Sequence, residues 1–564
     1  MQYPDDSENL DQWFPRDRSA YAQPVAEKLR LGVVVGGSLS KGLVVKLDRG
    51  QSVEDLAVGR YVVVHGTNKR FFCMINDISL NNTNPSIQSD PPDISDPFLS
   101  AVYTGTAAYG TVHVAPMLSI GDDDKPKPVK TIPSHFMTVM NAQVEDVNDV
   151  FGRDDESHFN VGTPLELEET QINLDLKRLV ERSVGVFGKS GTGKSFLTRV
   201  LLAGVIAKNQ GVNLIFDMHN DYGWEITSEN GTSVKGLKQL FSSKVTILTL
   251  DVESSRRRNA KFDSEVKIGL DEIEPEDIAQ LRVTMNLSDA MIDAAHTLHK
   301  RWGNGWIRRL IKGNVDDIEE VAANTPIMSG TLLALQRRLE RFERWDFLVQ
   351  ETPEDSVERI VNLLVEQQQS VVLEFGRYGN SLEAYILVAN YLTRRIHERY
   401  IDKVERALGD KAMEPPQLLI TIEEAHKFLD PQIARATIFG IIAREMRKYN
   451  VTLLIVDQRP SGIDEEVMSQ IGTRVTALLD NERDINAVLN GISGAAGLRE
   501  VLARLDTKQQ AIIMGHAVPM PVVVKTRAYD EQFYSSLMNP NGVAVSMDKA
   551  RKTLGSGGGD RRIR

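Results

Sequence analysis

The chain has 564 residues, 41% hydrophobic and 26% charged, with a formal net charge of −12 at pH 7. That length is more than one core can bury and predicts several domains. No apolar run approaches the ~18 residues of a membrane span, and the acidity excludes a surface broadly coated for nucleic acid while allowing a basic channel.

The first residues, "MQYPDDSENLDQWFPRD", are acidic and carry no apolar signal core. Residues 1–27 are read as an N-terminal extension. Cys73 is the single cysteine, which excludes an internal disulfide framework and a zinc cluster. A reducing, cytoplasmic setting without membrane association is the expectation. From about Leu31 to Ile120, within a barrel domain read as 28–165, the pattern is β: "LGVVVGG", "GLVVKL", "RYVVVHG", "RFFCMIND" and "YGTVHVAPM" are short strands punctuated by Gly and Asn, a spacing that predicts a small barrel. "SIGDDDKPKPVK" reads as a polar linker.

From 166 to 262, and again from 366 to 530, strand and helix text alternate. "NLIFD", "KVTILTL", "SVVLEF", "QLLITIEEAH", "VTLLIVDQRP", "RVTALL" and "QAIIMG" are the strands, and their apolar continuity predicts a parallel-rich sheet covered on both faces. Between 263 and 365 the strand signal gives way to amphipathic text such as "GTLLALQRRLERFERWDFL", read as a helical insertion. Residues 531–564, ending "TLGSGGGDRRIR", read as a C-terminal tail. The fold class is α/β.

"GVFGKSGTGKSFLTRVLLAG" joins an apolar strand to a helix through G-x-x-x-x-G-K-[ST]. Its glycines, Gly188, Gly191 and Gly193, let backbone N–H groups curl round an anion at a helix N-terminus. Lys189, Ser190, Thr192 and Phe196 complete the candidate nucleotide-binding run. Lys194 would reach the β- and γ-phosphates, and Ser195 would bind Mg²⁺. In "LLITIEEAH" a buried strand runs into Glu423 and Glu424 at the edge where such sheets bind ligands. Glu423 suits the metal and Glu424 the attacking water. Gln458 follows the next strand and suits γ-phosphate sensing, or ends that strand in a turn with Pro460. "FDMHNDYG" brings Asp217, His219 and Asp221 to a similar edge, with no spacing that demands a metal. Arg444, Arg447 and Lys448 near a helix end either complement its dipole or act as an arginine finger. "SSRRRNAK", with Arg256, Arg257, Arg258 and Lys261, is the densest basic cluster; it is either a solvated loop or a phosphate contact.

Taken together, "GKSGTGKS", "FDMHNDYG", "TIEEAHKF", "AREMRKYNVTLLIVDQRPSGIDEEVMSQIGT" and "GLVVKL…VGRYVVVHG" resemble the HerA hexameric DNA translocases, of the HerA–FtsK branch of P-loop motors. The resemblance runs from about Leu31 to Arg527. It implies an N-terminal HAS-barrel, a RecA-like core with a helical-bundle insertion, and a homohexameric ring. Such a ring threads duplex DNA, uses ATP and Mg²⁺, and works with a NurA-type nuclease in end resection for recombinational repair. Lys194 and Ser195 then match the Walker A positions, Glu423 and Glu424 the Walker B pair, and Gln458 the sensor. Arg444 and Arg447 fall in the trans-acting arginine segment, Arg182 matches a nucleotide-site arginine, and Gly515 and His516 a base contact. The first Walker B acid is Glu rather than Asp, and an arginine expected in "TRVTALLDNERD" is absent, with Leu478 near its place. Two other functions fit the same motor residues: an antiviral defence motor with another effector, and a secretion or assembly ATPase that moves protein.

Overall fold

The computed structural model describes residues 30–538 apart from 92, 94, 97, 99–101, 104–106, 122, 124, 166, 168, 228–230, 232, 353, 436, 446–447, 493–494 and 507–508. The proposed extension and all but the start of the proposed tail therefore lie outside the described residues. The chain divides into two units, the first essentially residues 1–152 and the second carrying most of the remainder.

In the first unit the described residues form an antiparallel sheet ordered Gly42–Leu47, Arg30–Ser38, Thr138–Asn141, Tyr61–His65, Arg70–Asn82, Ala108–Ile120, Pro126–Pro128. Gly42–Leu47 also pairs with Ala108–Ile120, so the first six strands close into a barrel. Period-two patterning does the work of sorting faces: in "GLVVKL", Leu43, Val45 and Leu47 point inward and are buried. They pack with Val62, Val64, Phe71, Ile75, Val112 and Val139. Bulges between Phe72 and Cys73 and between Ile75 and Asp77 supply the bend that closure requires. The Cys73 thiol is fully buried, and burial pushes its pKa far up, so it is an inert core residue. Thr138–Asn141, too short and polar to register as a strand in the sequence, is the piece that bridges Arg30–Ser38 and Tyr61–His65.

In the second unit the described residues build a twelve-stranded sheet. Its order is Ser264–Glu265, Val245–Thr249, Ser370–Glu374, Val212–Asp217, Leu418–Glu423, Val451–Asp457, Val184–Phe187, Thr473–Thr476, Gln510–Gly515, Val522–Thr526, His158–Pro164, Ile172–Asp175. From Ser264–Glu265 to Thr473–Thr476 every pairing is parallel. The next two pairings are antiparallel. Every residue of "LLITIE" and "VTLLIVD" is buried, as strands covered on both faces must be.

Three boundaries differ from expectation. His158–Pro164, assigned to the barrel by its place in the chain, is a strand of the large sheet: Gly162 lies so close to Lys525 that an added Cβ would meet its carbonyl oxygen at 2.2 Å. The insertion is mainly helical, with helices Asp289–Trp302, Trp306–Lys312, Val315–Ala323 and Ser329–Leu339 around the buried Trp306. It nevertheless begins with Ser264–Glu265, a short strand that extends the sheet edge. The expected tail opens as a helix, Glu531–Met538, whose Phe533 and Tyr534 are buried.

Candidate functional site

Because the parallel strands run in one direction, their last residues share one edge. Phe187 is registered with Asp457, Asp217 with Glu374, and Glu423 with Val456. The strand leading to the phosphate loop and the strand ending in Glu423 are separated by Val451–Asp457 alone, which places Gln458 between them.

The loop leaves Phe187 and enters the helix Lys194–Ala207. Gly191 and Gly193 hold left-handed backbone, φ 79° and 84°, which favours glycine. Gly188 is needed for closeness: a Cβ there would meet Thr192 Oγ1 at 2.8 Å and Ala477 Cβ at 2.9 Å. Thr192 Oγ1 donates to the Lys189 carbonyl (2.7 Å), and so does Lys194 Nζ (2.9 Å). Lys189 itself reaches outward to Asp480 at 2.5 Å. Burial lowers the Lys194 pKa, opposed by the charges of Glu424, Asp457 and Glu423. Ser190 is exposed and Ser195 half-buried at the helix start, followed by the exposed Phe196.

Glu423 is buried, and Tyr222 donates its hydroxyl to Glu423 Oε1 at 2.9 Å. Glu423 Oε2 is buried without a hydrogen-bond partner, with His219 Nε2 4.0 Å away. Tyr385, from the helix Leu382–Ala407, bonds both the Glu423 N–H and carbonyl and pins the strand end. Glu424 follows in left-handed conformation (φ 50°, ψ 46°), a strained state for a side chain of this kind. Gln458 Nε2 donates to Glu424 Oε1 at 3.3 Å, and His426 Nδ1 stands 3.6 Å from Glu424 Oε2. Asp457 accepts from the backbone N–H groups of His426 and Arg459 and lies 2.9 Å from His426 Nδ1. Burial would raise its pKa, but these hydrogen bonds outweigh burial and hold it below the ordinary value.

Lys194, Ser195, Glu423, Glu424 and Gln458 thus occupy the carboxyl edge of neighbouring strands. Arg182, Arg444, Gly515 and His516 do not join them. They line a cleft of about 720 Å³ at the amino edge, with Lys448 and Gly472. Gly515 is explained by packing there, since a Cβ would meet the Gly472 carbonyl oxygen at 2.1 Å. His516 is held between Arg178 (3.3 Å) and Glu181 (3.1 Å). Arg444 donates to the Arg435 carbonyl at 3.2 Å. Arg447 lies outside the described residues. Arg474 does lie in the strand where an arginine was sought, but it is buried and donates to the carbonyls of Val488, Asn490 and Met468, holding the following loop. Near Leu478, the strand contributes to the phosphate loop through its backbone, accepting from Lys189 N–H at 3.0 Å.

Sequence reasoning overlooked Tyr222, Glu374 and the His426–Asp457 pair. Asp217 accepts the N–H groups of Asp221, Tyr222 and Gly223, and so shapes the loop that presents Tyr222. The Asp-x-x-x-Asp-Tyr-Gly run in "FDMHNDYG" is the signal for such a loop. Among the described residues no group of three or more His, Cys, Asp or Glu is arranged to hold a metal. A Mg²⁺ that takes most ligands from phosphates and water needs little from protein, and the unpartnered Glu423 oxygen, at the same sheet edge as Ser195, suits that limited role.

Burial, then the neighbouring Asp217 charge, pushes Glu423 up to about 8, and burial with Glu374 pushes Asp217 up to about 7. Both folded values exceed the unfolded ones, so above the ordinary carboxylate range the native state binds more protons than the unfolded state. Stability therefore falls as pH rises from about 5 towards 8. The nucleotide-free protein should lose thermal stability across that window, and Glu423→Gln should flatten the loss. Equal slopes for both proteins in thermal unfolding would refute the assignment.

A RecA-like sheet whose carboxyl edge carries a glycine loop, a helix start and a strained acid defines the class as a P-loop NTPase. Family models agree: "Helicase HerA, central domain" matches residues 159–396 and "HAS barrel domain" residues 31–132. The DNA double-strand break repair helicase HerA of Pyrococcus furiosus is 24% identical over 409 residues, 68% of this chain and 71% of that protein. The protein of the same name from Sulfurisphaera tokodaii is 26% identical over 369 residues, 64% and 67% of the two chains. The solved structure of VirB4 of Thermoanaerobacter pseudethanolicus aligns with a TM-score of 0.44 at 14% identity, over 66% of this chain and 98% of that one. The chain is thus similar to the HerA helicases in both its central domain and its HAS barrel.

Proposed function

We propose that the protein is an ATP-driven DNA translocase that works as a homohexameric ring on duplex DNA, in partnership with a NurA-type nuclease during end resection. The observation that carries the reading is the convergence of Lys194, Glu424 and Gln458 on one sheet edge, with Gln458 bonded to Glu424 at 3.3 Å. Lys194 and the loop N–H groups bind the phosphates; Glu424 orients the attacking water, and Gln458 positions Glu424 against the γ-phosphate. Ser195, with Glu423 at the same sheet edge, would hold a Mg²⁺, which would supply charge neutralisation for phosphoryl transfer. Among its described residues the HAS-barrel carries no comparable constellation, and it is assigned the nuclease-docking role.

The names of the relatives support DNA rather than protein as the cargo. The test is ATP turnover with and without duplex DNA, alongside native mass and co-purification with a NurA-type nuclease. DNA-stimulated turnover by a hexamer that retains the nuclease is expected. Turnover indifferent to DNA would favour a protein-moving ATPase, and a motor that binds an unrelated effector instead would favour a defence role.

A further inference from the structure

The basic run after the strand Val245–Thr249 is not a uniform solvated loop. It starts as the helix Val252–Arg257, with Asp251 accepting from Ser254 N–H at 3.0 Å, and it sits at the same carboxyl edge as the candidate hydrolytic residues. Arg256 and Arg257 are exposed, and neither has an ion-pair partner among the described residues. The Arg257 Nε contacts only its own helix, at the Glu253 carbonyl (3.4 Å). Lys261 lies 5.8 Å over the ring of Trp224, which belongs to the loop that follows Asp217. The acids close by are largely committed: Asp251 caps the helix and Asp263 pairs with Lys238 at 3.0 Å, leaving the exposed Glu253. In a chain of net charge −12, this is a local excess of positive charge.

Arg258 points the other way. Its guanidinium meets the fully buried Glu374 at 2.6 Å and lies 3.4 Å from Asn220 Oδ1. Asn220, itself left-handed at φ 59°, also accepts from Gly376 N–H at 2.9 Å. Asn220 and Tyr222 belong to one short loop gathered by Asp217, and Tyr222 bonds Glu423. A set of polar contacts therefore runs from Arg258, the chain neighbour of the two exposed arginines, through the Asp217 loop to the strand end that bears the Glu pair.

We propose that Arg256 and Arg257 grip the phosphate backbone of the translocated nucleic acid, and that Arg258, as a positioning residue, passes that contact through the Asn220–Tyr222 loop to Glu423 and Glu424. The proposal rests on the DNA-motor reading and extends it to the coupling of cargo to hydrolysis. Phosphate contacts of this kind carry no sequence preference, as a processive motor requires.

The test uses the full chain in two assays: anisotropy of a labelled DNA duplex over a range of salt, and ATP turnover against duplex concentration. For Arg256→Ala/Arg257→Ala, the slope of log affinity against log salt should become shallower by at least about one. Half-maximal stimulation should require about tenfold more duplex, with the same plateau at saturation. For Arg258→Gln the split reverses: the half-maximal concentration stays and the plateau falls, with partial recovery in Arg258→Lys. Arg258→Gln/Glu374→Gln removes both charges of the pair, so that instability from an unpaired buried Glu374 is separated from coupling. A double variant restored to wild-type stimulation would show that Arg258 only neutralises Glu374 and would overturn the relay. A wild-type salt slope and half-maximum in the Arg256/Arg257 variant would overturn the grip while leaving the motor reading intact. If the unsubstituted chain neither binds duplex nor responds to it, the motor reading itself falls and takes this proposal with it.

Discussion

Glu424→Gln should retain nucleotide binding and lose turnover by about 10²–10⁴-fold, the range for removing a group that orients or deprotonates a nucleophile. The substitution changes charge and basicity but little volume, so the hydrogen bond with Gln458 can be kept by rotating the amide. Glu424 does not sit in relaxed backbone: its φ of 50° holds the side chain between Gln458 and His426, over the phosphate loop's edge of the sheet. Such strain persists only when the surroundings over-determine it, and here His426 is itself fixed to Asp457 by both ring and backbone nitrogen. Lys194→Ala should behave differently. It removes the ammonium that the loop holds against the Lys189 carbonyl, and with it much of the attraction for phosphate. Nucleotide affinity from a fluorescent analogue, set beside phosphate release, separates the two. Equal loss of binding in both variants would remove Glu424 from the hydrolytic role.

What the sequence disclosed followed burial. The strands "LLITIE" and "VTLLIVD" are apolar throughout because both faces are covered, so their ends, and hence Glu423, Glu424 and Gln458, could be read directly. The phosphate loop was equally plain, since its spacing answers to one geometry. Edge membership was not plain. Arg182 precedes the four-residue strand Val184–Phe187 and the phosphate loop follows it. At roughly 3.3 Å per residue, that strand is enough to put them on opposite edges, although they are neighbours in the chain. Gly515 and His516 end an antiparallel strand and so come to the amino edge for the same reason. Glu374 was invisible as a partner of Asp217 because only the sheet order, not the spacing of 157 residues implied by their numbers, brings the two strands together. His158–Pro164 was misassigned because chain proximity to the barrel outweighed a weak strand pattern; its pairing with Val522–Thr526 depends on residues far along the chain.

The position of Arg444 leads to the second large effect. It lines the amino-edge cleft with Arg182 and His516, whereas Lys194 and Glu424 stand at the carboxyl edge, so within one chain the sheet separates them. If Arg444 neutralises charge during hydrolysis, it must do so at the site of a neighbouring copy, as arginine fingers supplied in trans do, at a worth of about 10³–10⁵ in rate. Arg444→Ala should then be nearly inactive while binding nucleotide normally. Mixed before nucleotide is added, Arg444→Ala and Glu424→Gln subunits should recover part of the lost turnover. At one type of interface the first donates an intact Glu424 and the second an intact Arg444, and that site is complete. An arginine acting within its own chain gives no rescue, because every subunit with Glu424 would still lack it. The parallel mixture with Arg447→Ala identifies which arginine crosses the interface. Recovery confined to the Arg444 mixture would assign the role to Arg444. A stable monomer with full DNA-stimulated turnover would end the ring reading, since no second copy could then complete the site.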